Sequence, residues 1–182
     1  MLSRFLNYFG EYKQIDYSGD LYADLIKNFG GKSFGHGLFN IFSSEEVGKW
    51  TELVTEGYPF LKNRFKIFAY DWLGRCFAID MNEKNYGNVL MFEIGTAQIL
   101  GIPCNLEVFL NEEIPEYSDA CLAKPFFEEY MEYAKKEIGK GRCAGYKIPL
   151  FLGGEDVVEN LEDSDMEVYW SITSAIAKEV RS

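Results

Sequence analysis

The chain has 182 residues, of which 47% are hydrophobic and 16% aromatic, and its formal net charge is −11. This length suffices for one large domain or two small packed ones. The charge argues against a protein that binds nucleic acid or anionic membranes through a basic surface. It favours a basic partner, because complementary fields speed association.

The N-terminal segment turns polar too early for a signal peptide, and no apolar run reaches the length of a membrane span. We therefore expect a cytoplasmic protein without direct membrane contact. The four cysteines, Cys76, Cys104, Cys121 and Cys143, form no C-x-x-C pair, so the sequence predicts neither a zinc site nor a disulfide framework. Reduced, mostly buried thiols are expected, and no cofactor is predicted.

The first half of the chain alternates helix and strand signals. A helix is predicted over 18–29, with a serine at its start and glycines at its end. A short strand follows at 38–42. Ser43 and Glu46 then have the spacing of a capping box, which predicts a helix that ends at Gly57 before a proline.

The middle of the chain predicts sheet. Runs rich in β-branched and aromatic residues lie at 64–72, 75–80 and 89–94, separated by short polar or glycine-containing turns. Neighbouring antiparallel strands are the simplest topology. From about residue 104 the pattern returns to helix, with Asn105 as a cap and a longer helix from Pro125 to Gly139.

The C-terminal part predicts a buried strand, an acidic turn and a closing helix. The apolar run 145–152 ends at paired glycines, and Ser164 with Glu167 has the spacing of a second capping box. The closing helix then carries apolar residues at helical spacing. These residues are Val168, Ile172, Ala175, Ile176 and Val180.

The acidic turn concentrates seven carboxylates within the thirteen residues 155–167, without a Lys or Arg. A calcium loop would alternate its aspartates around a glycine, and that pattern is absent. Acids at a helix start also favour the helix dipole. Two interpretations stay open: a solvated face or a docking face for a basic partner. The candidate partner-binding residues are Glu155, Asp156, Glu159, Glu162, Asp163 and Asp165.

No catalytic residue is predicted. The single histidine, His36, lies between two glycines and is expected in a turn. Gly31-Lys32-Ser33 resembles the end of a P-loop but lacks the required glycine, since position 26 is Ile26. Two alternatives remain open: a small-ligand or regulatory module with an aromatic pocket, and a carboxylate-based hydrolase.

Two sets of motifs resemble known domains. Phe126-Phe127-Glu128 and the later run Gly145 to Gly154, which contains Tyr146, Pro149 and Leu152-Gly153-Gly154, resemble the C-terminal domain of type VI secretion DNase-immunity proteins. In the first half, Phe29-Gly30-Gly31, Gly35-x-Gly37-Leu38-Phe39 and the segment from Phe68-Ala69 to Leu73-Gly74 resemble the GAD-like domain of the same family. The SUKH immunity superfamily is a second possibility.

The resemblance implies an α+β fold with a central, mainly antiparallel sheet, helices packed against it and a closing C-terminal helix. It implies a GAD-like part at 1–100 and an immunity-type part at 101–182, packed together without a flexible linker. The implied function is that of an antitoxin, which neutralises a cognate secreted toxin, a nuclease, by stoichiometric binding and without catalysis. The partner would be a basic toxin protein.

Overall fold

The computed structural model describes residues 2–181, which form an α+β structure around a six-stranded sheet. The sheet strands are β1 (Ser33–Phe34), β2 (Phe39–Ile41), β3 (Phe65–Asp71), β4 (Cys76–Asp80), β5 (Asn88–Glu93) and β6 (Gln98–Asn105). They lie in sequence order, and every neighbouring pair is antiparallel. A separate antiparallel pair is formed by β7 (Arg142–Tyr146) and β8 (Leu161–Asp165). The predicted fold class is confirmed.

Helices cover both faces of the sheet. They are α1 (Ser3–Tyr8), α2 (Leu21–Phe29), α3 (Ser44–Gly57), α4 (Leu106–Val108), α5 (Ile114–Cys121), α6 (Lys124–Ala134) and α7 (Met166–Arg181). A wider π-helical turn at Phe109–Glu113 joins α4 to α5. Across residues 2–181, none of these helices has both the length and the apolar character needed to cross a membrane.

Alternation along the central strands creates two hydrophobic cores. Phe77 of β4 and Met91 of β5 point to one side, where α1, α2 and the α4–α6 segment pack. Leu90 and Phe92 of β5 point to the other side, where α3 and α7 pack. Because successive strand residues face opposite ways and both faces are covered, the central strands are buried almost throughout.

The structure confirms the helix start at Ser43, whose backbone N–H donates to the Glu46 carboxylate at 2.8 Å. It also confirms the Asn105 cap, which accepts from the Val108 N–H at 3.0 Å. The predicted start at Ser18 is wrong by a few residues. Asp20 caps α2 by accepting from Ala23, because Ser18 instead donates its hydroxyl to the Asp24 carboxylate.

Other boundaries differ as well. Helix α6 ends at Ala134 rather than Gly139, because Lys135 takes a left-handed conformation with φ of 52°. Strand β6 had no sequence signal. It lies at the edge of the sheet, where none of its residues is fully buried, so hydrophobic alternation is weak. The predicted division of the chain near residue 100 lies within β6, and it stays a prediction.

Polar contacts fix the β3–β4 turn beneath the C-terminal elements. The Asp71 carboxylate accepts from Arg75 Nε at 2.6 Å, and both side chains are buried. The indole N–H of Trp170 donates to the Gly74 carbonyl at 2.7 Å. The Ala144 N–H of β7 donates to the Trp72 carbonyl at 2.7 Å. The hairpin β7–β8 and helix α7 are thereby held firmly against the central sheet.

Candidate protein-interaction surface

The predicted strand at 145–152 is only partly correct. Strand β7 ends at Tyr146, and residues Leu150–Leu152 form a 3-10 turn instead. Pro149 precedes this turn with φ of −52° and has no N–H for a strand ladder, and Gly153 ends it in the left-handed region with φ of 86°. Leu152 is exposed as a result. The apolar run therefore contributes to the surface as well as to the core.

The acidic segment is not simply a turn, because its second half is strand β8. Residues of β8 pair with β7 so that Ala144 faces Asp163 and Arg142 faces Asp165. The predicted capping box at Ser164 and Glu167 is wrong. Ser164 lies within the strand, and Asp165 caps α7 by accepting from the Val168 N–H at 3.0 Å. Glu167 forms an ion pair with Lys49 of α3.

Besides Asp165, which caps α7, two of the six candidate acids are engaged by side chains within the chain. The Asp163 carboxylate accepts from Arg142 Nε at 2.6 Å and also pairs with Lys136. Partial burial opposes ionisation of Asp163, but the bonds from Arg142 and Lys136 prevail and lower its pKa. Asp156 accepts the Tyr146 hydroxyl at 2.6 Å. Burial, aided by that bond, raises the pKa of Tyr146.

The other four candidates remain directed to solvent. Glu155, Glu159, Glu162 and Asp165 are all exposed, and Asp165 lies at the positive end of α7. The segment therefore presents an acidic surface, in which Asp156 and Asp163 also bond to other side chains of the chain. Whether these residues contact a partner stays a prediction.

Helix α7 presents its predicted apolar stripe to solvent. Val168, Ile172 and Val180 are 54%, 56% and 58% exposed. The side that covers the core is different and includes Tyr169, Trp170 and Ala177. The predicted helix and its spacing are correct, and Tyr169 and Trp170, rather than the aliphatic stripe, face the core. Tyr169 and Trp170 lie on the buried side because burial of large aromatic rings removes the most apolar area from water.

A groove of about 260 Å³ lies between this stripe and the β7–β8 hairpin. Its apolar walls come from Tyr146, Pro149, Val168, Ile172 and Ile176. We call it the α7 groove.

The polar rim of the α7 groove is mainly acidic. Glu162 and Asp165 line it, and both are exposed. Lys147 also lines it, but its Nζ donates to the Glu159 carbonyl at 2.7 Å and is thereby held by the chain itself. An apolar centre with a charged rim is the composition of protein-binding patches.

The other groups with reactive side chains are the single histidine, His36, and the four cysteines. His36 is exposed in the β1–β2 turn with φ of 58°, and its Nδ1 lies 3.1 Å from Glu137 Oε1. In the described part of the chain, no three His, Cys, Asp or Glu side chains are grouped as a metal site would require.

The cysteines are free, and three of them, Cys76, Cys121 and Cys143, are buried. Burial raises the pKa of Cys121 to about 12 and that of Cys104 to about 11. Thiols with such pKa values carry little thiolate at neutral pH and are poor nucleophiles.

The fold is shared with a protein of known structure. The crystal structure of Atu4351 from Agrobacterium tumefaciens superimposes with a TM-score of 0.68, at 19% sequence identity, over 96% of this chain and 88% of that chain. At this identity the likeness concerns the fold alone. A comparison with curated proteins gave no match.

The second half of the chain matches a named family. Residues 106–177 fit the sequence profile described as "T6SS immunity protein Tdi1, C-terminal". The matched stretch begins in α4 and includes β7, β8, the acidic segment and most of α7. Residues 106–177 are thus similar to the C-terminal domain of a type VI secretion immunity protein, in agreement with the resemblance in residues 126–154. The GAD-like and SUKH assignments stay predictions.

Proposed function

We propose that this protein is an immunity protein that neutralises a cognate toxin, a nuclease, by stoichiometric binding in the cytoplasm. The observation that carries the proposal is the match of residues 106–177 to the Tdi1 C-terminal family. This stretch contains all six acids of the candidate set. In this proposal the first 100 residues form a GAD-like part that supports the C-terminal part.

Electrostatics favours a nuclease as the partner. An enzyme that holds a nucleic-acid backbone needs cationic groups, which offer a binding site for an acidic inhibitor. The chain carries 29 acidic and 18 basic residues. Its acidic surface would raise the association rate with such an enzyme and compete with the phosphates it binds. In this proposal the protein itself does not contact nucleic acid.

An inhibitor that acts by binding to the toxin and covering its surface needs no catalytic group of its own. The exposed His36 and the buried thiols are consistent with that role. Glu155, Glu159 and Glu162 are exposed and would face a partner, as would Asp165, which is exposed although it also caps α7. Asp156 and Asp163 would act indirectly, by keeping Tyr146, Arg142 and Lys136 in place.

The test is co-expression of the tagged chain with toxin genes from its own genome. We expect one toxin to lose its growth inhibition and to co-purify in a one-to-one complex. Toxin activity measured with purified components should fall in proportion to added protein until equivalence. If no toxin is suppressed, and native mass spectrometry finds a retained metabolite instead, the binding-module alternative replaces this proposal.

A further inference from the structure

We propose that the α7 groove is the docking site for a positively charged segment of the toxin that inserts apolar side chains between α7 and the β7–β8 hairpin. This inference rests on the proposed function and specifies which part of the acidic surface makes the central contact. The acidic residues then form the rim of the contact, and the exposed stripe of α7 forms its centre.

The first argument is the apolar stripe itself. Val168, Ile172, Ile176 and Val180 recur every four residues, so they form one continuous row along the helix. Three of them are more than half exposed. Ile148, which lies in sequence between the groove-lining residues Lys147 and Pro149, is exposed as well. A contiguous apolar surface with a polar rim is typical of an interaction site.

The second argument is charge complementarity, which selects a cationic occupant. Glu162 and Asp165 line the groove and outnumber its one lysine, Lys147, whose Nζ donates to a backbone carbonyl. Lys or Arg side chains that flank the inserted apolar groups would meet these two carboxylates. A second copy of this chain is a poor occupant, because a symmetric contact would oppose acidic rims across a low-dielectric interface.

The third argument concerns size. A volume of about 260 Å³ is below the roughly 300 Å³ at which small-molecule sites begin. It suits a few side chains of a larger partner better than an enclosed metabolite. Rigid support favours such a contact, because a partner then binds without first ordering the site. The floor residue Tyr169 is buried, and Trp170 beside it is anchored to Gly74.

The test uses a matched pair of substitutions on one helix face. Ile172→Arg places a cation inside the groove, and Val180→Arg places the same side chain on the same stripe outside the groove lining. Both positions are similarly exposed, so both variants are expected to fold. With the inactivated toxin from the co-expression test as the probe, Ile172→Arg should weaken binding by about 30-fold or more, as for a central contact. Val180→Arg should change the affinity by less than about threefold.

The acidic rim is tested by Glu162→Lys, with Glu83→Lys as the control at an exposed site in the turn before β5. Glu162→Lys should slow association and reduce its dependence on salt, and Glu83→Lys should do so much less. Equal effects of the two variants, or equal effects of Ile172→Arg and Val180→Arg, would overturn the groove assignment while leaving the immunity function intact.

If no toxin is suppressed, a defined peptide tests the α7 groove as a docking site independently of the proposed immunity function. The probe is a helical peptide of about 18 residues with leucines on one side and flanking lysines, compared with a glutamate-flanked version. In NMR spectra of the labelled protein, we expect the lysine peptide alone to shift the amides of β8 and of the first turns of α7. Shifts confined to other surfaces, or none at all, would refute the groove as a site for cationic apolar segments.

Discussion

The two sides of α7 have nearly opposite environments although both carry apolar residues at helical spacing. On the inner side, Tyr169 and Trp170 lie in the core formed with α3 and the sheet. On the outer side, Val168 and Ile172 are more than half exposed beside an acidic rim. Substitutions on the inner side should therefore change folding stability, and those on the outer side should change partner binding.

The largest effect is expected from removing Trp170, which anchors the buried side of α7 to the β3–β4 turn. Trp170→Ala removes a fully buried indole and its bond to the Gly74 carbonyl, so we expect the free energy of unfolding to fall by about 3–5 kcal/mol. Urea denaturation would measure this loss. Val168→Ala is the control on the outer side, and a comparable loss there would contradict the assignment of the two sides.

A smaller effect is expected at the start of the helix. Asp165→Ala removes the side chain that accepts from the Val168 N–H, and the unfolding free energy should fall by about 1 kcal/mol. Asp165→Asn keeps an accepting oxygen and should retain most of that stability. If Ser164→Ala proved the more damaging substitution, the capping assignment would be wrong.

The smallest effect is a pH dependence that comes from Asp163. Its pKa is lower in the folded chain than in the unfolded chain, so its ion pairs stabilise the fold above the unfolded pKa of about 4. This contribution is lost as the pH falls through the lowered, folded-state pKa. When the free energy of unfolding is measured at decreasing pH, the Asp163→Asn variant should not show this part of the loss of stability. An unchanged acid profile would show that Arg142 and Lys136 do not stabilise the charged form.

Much of the fold was predictable because the signals were local. The capping box at Ser43 and Glu46 and the three hydrophobic strands of the middle segment depend on neighbouring residues. The edge strand β6 was missed because partial exposure removes the alternation that reveals a strand. Pro149 was a usable signal against a continuous strand at 145–152, but the apolar run around it outweighed it.

The site was less predictable because it depends on tertiary contacts. Charge counting found the acidic segment, but the bond between Asp163 and Arg142 joins residues 21 positions apart. Nor could periodicity decide between the two apolar sides of α7. That choice depends on the shape of the surface formed by α3 and β5, which the sequence of the helix does not contain.

The order of the strands has a consequence for how the molecule forms. Since β1 to β6 pair with their neighbours in sequence, the sheet can assemble during synthesis as each strand leaves the ribosome. The side that holds Trp50 of α3 and Phe92 still lacks part of its cover at that stage, because α7 follows all six strands in the chain. Docking of α7 therefore closes the second core and creates the groove in the same step, so that the groove is absent until α7 has docked.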